Sequence, residues 1–223
     1  MAADVVIPVV FPDYLIHVDT PPVRFEVPDL PLIDIPGIPD RISVPGSAHR
    51  VPYLGHAGVA YFDGATGTTK YYEYGRYDPA ALGIVRKVSM PNVTLINGKP
   101  TEGTLMELLR TVSRKSGQNG AILGCYIELP TGSYAKMLKY SQRRLLDNSN
   151  ASRAPYSLMT NSCCHFMRDV AVAGGATMPW VAPPNPSGYI RVVRAMHPEL
   201  DYARGQITVP ALGYPAVLAG ARR

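Results

Sequence analysis

Three cysteines in 223 residues, two of them adjacent, cannot build a disulfide framework, and no Cys-x-x-Cys spacing of the kind that holds zinc occurs. Such usage fits a chain folded in a reducing cytoplasm. No apolar run approaches the length of a membrane span, so no integral membrane segment is expected. The opening Met-Ala-Ala-Asp-Val-Val-Ile-Pro has no basic stretch ahead of a long apolar one, so no secretory signal is expected either. Charged residues make up only 17% of the chain, and the basic excess of +5 is scattered in nothing longer than pairs such as Arg143-Arg144 and Arg222-Arg223. A nucleic-acid reader would show a denser basic stripe with interleaved aromatics, so no nucleic-acid partner is expected. Internal repeats and low-complexity tracts are missing as well.

What remains is a hydrophobic content of 46%, enough for one globular unit with a sizeable core. Residues 1–52 hold 10 of the 22 prolines. Proline lacks an N–H and fixes φ, which argues against helices and central strands there. The residues between are Val, Ile, Leu and Phe, so this stretch is expected as an extended strap packed on a core formed by 53–223. Edge-strand pieces are expected at 5–11 and 14–18, and a docking arm for a partner is the functional alternative.

From Gly55 the pattern changes. A strand at 56–62, a turn at 63–67 and a return strand at 70–74 form the clearest hairpin in the chain. A third strand is expected at 84–89, extended by 93–96. Thr104-Leu-Met-Glu107 has the form of a capping box, with Leu105, Leu108, Leu109 and Val112 at helical spacing. A buried strand at 121–129 and a helix from Ser133 follow. A further helix at 187–196 and a short strand at 206–209 close the reading, which gives an α+β fold.

The segment 156–170 carries the chemistry. Thr160, Asn161 and Ser162 cap a helix on which Phe166, Met167 and Val170 form an apolar stripe that leads back to Cys163. A thiol in the first turn meets unpaired N–H groups and the positive end of the helix dipole, and both favour thiolate. A free cysteine there is more often a small core residue, so the question is whether a base exists. His17 and His49 lie in the strap, His197 adjoins Pro198, and His165 points to a different side of the helix from Cys163. His56, opening the best strand, is the candidate base. Glu73, the one carboxylate of the return strand, is the candidate for the group that orients it, with Asp78 in reserve. Cys164 is the rival nucleophile, about 100° around the helix. A metal site built from His56, Cys163, Cys164 and His165 is not expected, because adjacent cysteines seldom both ligate one zinc. No cofactor is expected.

Taken together, Gly55-His56-Ala-Gly-Val-Ala-Tyr-Phe62, Tyr71-Tyr-Glu73-Tyr-Gly75 and Asn161-Ser-Cys163-Cys-His-Phe166 resemble the circularly permuted branch of the NlpC-type papain-like hydrolases. There the histidine strand precedes the cysteine helix. The resemblance covers roughly residues 53–175 and implies an antiparallel sheet packed against a helix with the cysteine at its N-terminus. It also implies a Cys-His-acid triad of Cys163, His56 and Glu73, although the acidic position departs from the histidine common in that branch. The strap and Tyr-Glu-Tyr-Gly-Arg-Tyr-Asp78 are similar to antibacterial type VI secretion effectors of the TseH group. That likeness implies a cysteine peptidase or amidase cleaving peptidoglycan stem peptides in the target-cell periplasm, loaded from the producer's cytoplasm without a signal. A secretion carrier and an immunity protein are the partners implied, and a monomer is expected. A lipid esterase or acyltransferase on the same permuted fold is the alternative, and a non-enzymatic secretion-associated module is a third reading.

Overall fold

The first strand, β1 (Asp4–Phe11), runs through the interior of the main sheet and is buried along its whole length. The computed structural model describes residues 2–15, 23–26, 41–44, 55–77, 82–179 and 185–214, and expectations falling elsewhere lie outside the described residues. After β1 come the paired strands β2 (Val23–Glu26) and β3 (Arg41–Val44), then β4 (His56–Phe62), β5 (Thr69–Gly75) and β6 (Ile84–Lys87). A small hairpin, β7 (Leu95–Ile96) and β8 (Lys99–Pro100), leads into helix α1 (Glu102–Ser116). Strands β9 (Ile122–Cys125) and β10 (Ile127–Leu129) precede helices α2 (Ser133–Leu146), α3 (Cys163–Gly174) and α4 (Pro186–Arg194). Strands β11 (Glu199–Ala203) and β12 (Gln206–Thr208) complete the sheet. Its order is β12-β11-β9-β1-β4-β5-β6, antiparallel throughout, with β10 also pairing β1.

The sheet has a core on each face. Val5, Ile7, Val9 and Phe11 pack with Leu105, Leu108, Leu109 and Val112 of α1. Val6 and Val10 pack with Phe166, Met167 and Val170 of α3 and with Ile190 and Val193 of α4. A strand covered on both sides reads as a continuous apolar run, without the alternation of a half-exposed one. At roughly 1.5–3 kcal/mol per buried aliphatic side chain, β1 is a main source of stability.

The expected edge strand at 5–11 is therefore corrected to a central one. Proline is tolerated there because of where it falls. The partner of β1 on one side changes from β10, at Val6↔Ile127, to β9, at Val9↔Gly124. Pro8 lies in that gap with its carbonyl toward Gly124, so its missing N–H falls where the ladder is interrupted. Tyr126, between β9 and β10, sends its own N–H to the Pro198 carbonyl instead (2.9 Å).

Other expectations shift by a few residues. The hairpin is β4–β5, as expected, but 93–96 does not prolong the third strand. Asn97 and Gly98, both at positive φ, turn it into β7–β8. Helix α1 starts three residues early: Thr101 is the N-cap, accepting from the Thr104 N–H, while Glu107 bonds Arg110 and Thr111. β11 was not expected at all. Among the described residues, no helix is long and apolar enough to cross a membrane.

Candidate active site

Cys163 is the first residue of α3, directly after the N-cap Ser162. The cap is made with a histidine: His165 Nδ1 accepts the Ser162 N–H (3.3 Å) and lies 2.9 Å from its hydroxyl. His165 is thereby committed to the helix start. Gly175, at φ 100°, ends the helix. Cys164, expected on the side away from the apolar stripe, is instead buried with it, because α3 packs on both the sheet and α2. The packed face of α3 is wider than the 163–166–170 stripe.

Strand alternation assigns His56, Gly58 and Glu73 to the face of the sheet that α1 covers, whereas α3 lies on the opposite face. His56 opens β4, so its ring stands at the end of the sheet, where the start of α3 arrives from the other side. There the imidazole comes beside Cys163, close enough that the charge of each group acts on the other. The register pairs Gly58 with Glu73, which sets Glu73 diagonally beside His56 at 3.5 Å from Nε2. The structure thus brings Cys163, His56 and Glu73 together.

Four tyrosines build the surroundings. Tyr77 donates to Glu73 Oε1 (3.3 Å) and lies 3.1 Å from His56 Nε2. Tyr77 thereby bridges the carboxylate and the imidazole. Tyr71 donates to Glu73 Oε2 (3.2 Å), and Arg86, the cross-strand partner of Glu73, approaches Oε1 at 3.3 Å. Tyr156 donates to Cys163 Sγ at 3.7 Å. Tyr14 packs on the His56 ring with centroids 5.0 Å apart. Two glycines make room for this. A Cβ on Gly58 would lie 2.1 Å from the Tyr71 hydroxyl, and one on Gly75 would lie 2.6 Å from the Tyr77 ring.

The electrostatics follow from these contacts. Burial pushes the His56 imidazole down, but hydrogen bonds to Cys163 and Glu73 and the charges behind them outweigh it, and the group is raised from 6.5 to about 9. The two adjacent thiols share one ionisation, which falls on Cys163. A hydrogen bond from Cys164 favours the Cys163 thiolate, burial opposes it, and His56 and Tyr156 add to it, so Cys163 is held well below an ordinary thiol. Cys164 is pushed up by its bond to Cys163 and by burial. Burial works against the Glu73 charge, yet the His56 bond wins and Glu73 is lowered. The three shifts together favour an imidazolium between a thiolate and a carboxylate. The pair is well covered, Cys163 being 3% and His56 7% exposed.

Asp78, His17 and His49 fall outside the described residues. His197 Nε2 contacts the Thr177 carbonyl (2.6 Å), and Cys125 is core, pushed up to about 12 by burial. Sequence reasoning missed Tyr14, Tyr71, Tyr77, Tyr156 and Arg86 as parts of the site. The available signal was the density of tyrosine around Glu73 together with Gly58 and Gly75, each two residues from a site residue.

A family model described as Type VI secretion system effector TseH-like matches residues 6–179. The crystal structure of the Type VI secretion system effector TseH is similar over 93% of this chain and 98% of its own, with 32% identity and a TM-score of 0.70. No curated protein matches.

Proposed function

The chain belongs to the TseH-like family of Type VI secretion system effectors, and we propose that it is a cysteine hydrolase cleaving amide bonds of peptidoglycan stem peptides. The observation that carries this reading is the chain of contacts from Cys163 through His56 to Glu73 at the start of a buried helix. The order of the parts, histidine strand before cysteine helix, fits a circularly permuted NlpC-type papain-like fold.

In this mechanism the Cys163 thiolate attacks the amide carbonyl. The oxyanion that forms meets the Cys163 backbone N–H, one of the first helical N–H groups with no partner inside the helix. The Tyr156 hydroxyl, already bonded to the sulfur, follows the negative charge as it passes from sulfur to oxygen. His56 gives its proton to the leaving amine, the C–N bond breaks, and a thioester remains. Neutral His56 then takes a proton from water, whose oxygen attacks the thioester, and the new carboxylate leaves as the thiolate reforms. Glu73 holds the imidazole in orientation and stabilises its charged form throughout.

A type VI effector of this kind acts in the periplasm of the target cell and is countered in its producer by an immunity protein. Expression of the chain and of its Cys163→Ala variant in a bacterial periplasm tests the proposal. Lysis by the unaltered chain only, with new free amines in digested muropeptides and intact phospholipid, is the expected result. Lysis by a folded Cys163→Ala variant would sink it, and fatty-acid release would point to an esterase instead.

A further inference from the structure

Beside the start of α3 lies a cavity of about 170 Å³ lined by Tyr74, Gly83, Arg144, Asp147, Asn148, Arg153, Ala154 and Asn161. The cysteine mechanism uses none of these side chains. Arg144 dominates its chemistry. Its guanidinium lies over two rings, Tyr74 at 5.2 Å and Phe166 at 5.6 Å, and donates to the Tyr140 hydroxyl (3.2 Å) and to Asn161 Oδ1 (3.4 Å). Among the described residues it forms no ion pair; its link to a carboxylate runs through Tyr140, which donates to Asp169 (3.2 Å), itself paired with Arg168 at 2.7 Å. Asp147, on the rim, is exposed and takes a bond from Asn150. A half-buried cation sandwiched on aromatic faces, with only neutral acceptors, is arranged to receive an anion.

The cavity adjoins the site. Tyr74 forms one wall and stacks on the Tyr156 ring at 5.7 Å, and Tyr156 donates to the Cys163 sulfur. Asn161, also in the lining, precedes Cys163 by two residues, and Phe166 beneath Arg144 is one turn along α3 from it. Gly83 keeps the wall thin, since a Cβ there would lie 1.7 Å from the Tyr74 hydroxyl. Arg144 and Cys163 are thus linked by two short paths, through Phe166, on the same helix as Cys163, and through the stacked rings of Tyr74 and Tyr156.

We propose that this cavity is a carboxylate-binding subsite, holding an acidic group of the substrate peptide a few residues from the amide that Cys163 attacks. Planar guanidinium suits a carboxylate, which it grips with two parallel bonds. This deepens the hydrolase reading above and rests on it.

The test compares stem peptides with free side carboxylates against the same peptides converted to carboxamides. The unaltered chain should favour the free acids about ten- to hundredfold in kcat/KM, the range of a charge-assisted hydrogen bond. Arg144→Met, which keeps the stem over Phe166, should bring that ratio near one, and Arg144→Lys should restore part of it. A ratio near one in the unaltered chain, or an unchanged ratio in Arg144→Met, would overturn the subsite. Calorimetric titration of the folded Cys163→Ala chain with both peptides gives the same ratio without turnover, whatever the stability of the Arg144 variants. Acid preference in binding without cleavage by the unaltered chain would leave the subsite standing and refute the hydrolase. Cleavage without acid preference would do the reverse. Arg144-dependent binding to phosphatidylglycerol vesicles with none to acidic peptide would also overturn the proposal.

Discussion

Replacing Glu73 by glutamine keeps the shape of the side chain and removes one of the two anions that hold the His56 proton. His56 rises from 6.5 to about 9 in the folded chain against the opposing effect of burial. That rise is a net preference of a few kcal/mol for imidazolium. The Cys163 thiolate and Glu73 both supply it. Loss of the Glu73 charge should therefore lower His56, leaving burial opposed by the thiolate alone. The raised group is protonated below its folded value and loses its proton above it, so the alkaline limb of kcat/KM should move from near pH 9 toward neutral pH. The thiolate is destabilised with its counterion, and kcat/KM at neutral pH should fall about ten- to hundredfold. NMR titration of carbon-labelled His56 measures the midpoint directly, and thermal unfolding of the variant checks that the fold survives. A folded Glu73→Gln chain whose His56 midpoint stays near 9 would refute the reasoning, because Glu73 would then have no hold on the proton.

The thiols should differ sharply: at pH 7 iodoacetamide should modify Cys163 well before Cys164, and mass analysis of tryptic peptides reporting equal modification would contradict the shared ionisation assigned to Cys163. Gly58→Ala should drive the Tyr71 hydroxyl off Glu73, at a cost of about 1–3 kcal/mol in urea unfolding, together with reduced activity. Asp4 accepts the Gly64 N–H and the Tyr134 N–H at the start of α2, both at 2.9 Å, and is buried. Asp4→Ala should thus cost about 2–4 kcal/mol in the same assay, and a change under 0.5 kcal/mol would mean that water replaces the carboxylate there.

The parts of the site that were legible in the sequence are those fixed locally. A capped apolar stripe located Cys163 at a helix start, and alternation with a turn located His56 at the mouth of β4. Glu73 was chosen over Asp78 on composition, since the register that sets it beside His56 depends on the Gly58↔Glu73 pairing across the hairpin. The tyrosines needed the tertiary structure. Tyr77 and Tyr156 lie on irregular segments, and nothing periodic indicates which way a phenol on such a segment points.

The frame was harder to read than the site, and β1 shows why. Its run Val-Val-Ile-Pro-Val-Val-Phe is apolar on both faces, the pattern of a central strand, yet Pro8 argues for an edge. Both signals are sound, and they conflict because each assumes an unbroken partner strand. The conflict resolves in a fact about a different part of the chain: β9 and β10 are interrupted at Tyr126, which turns its N–H to Pro198 and leaves a gap opposite Pro8. No window containing Pro8 holds that information. The same strand carries the site, since Phe11, at its end, pairs with His56 and packs near its ring at 6.1 Å. The position of His56 thus depends on an N-terminal strand more than forty residues away in sequence, which carries its proline at the break between β9 and β10.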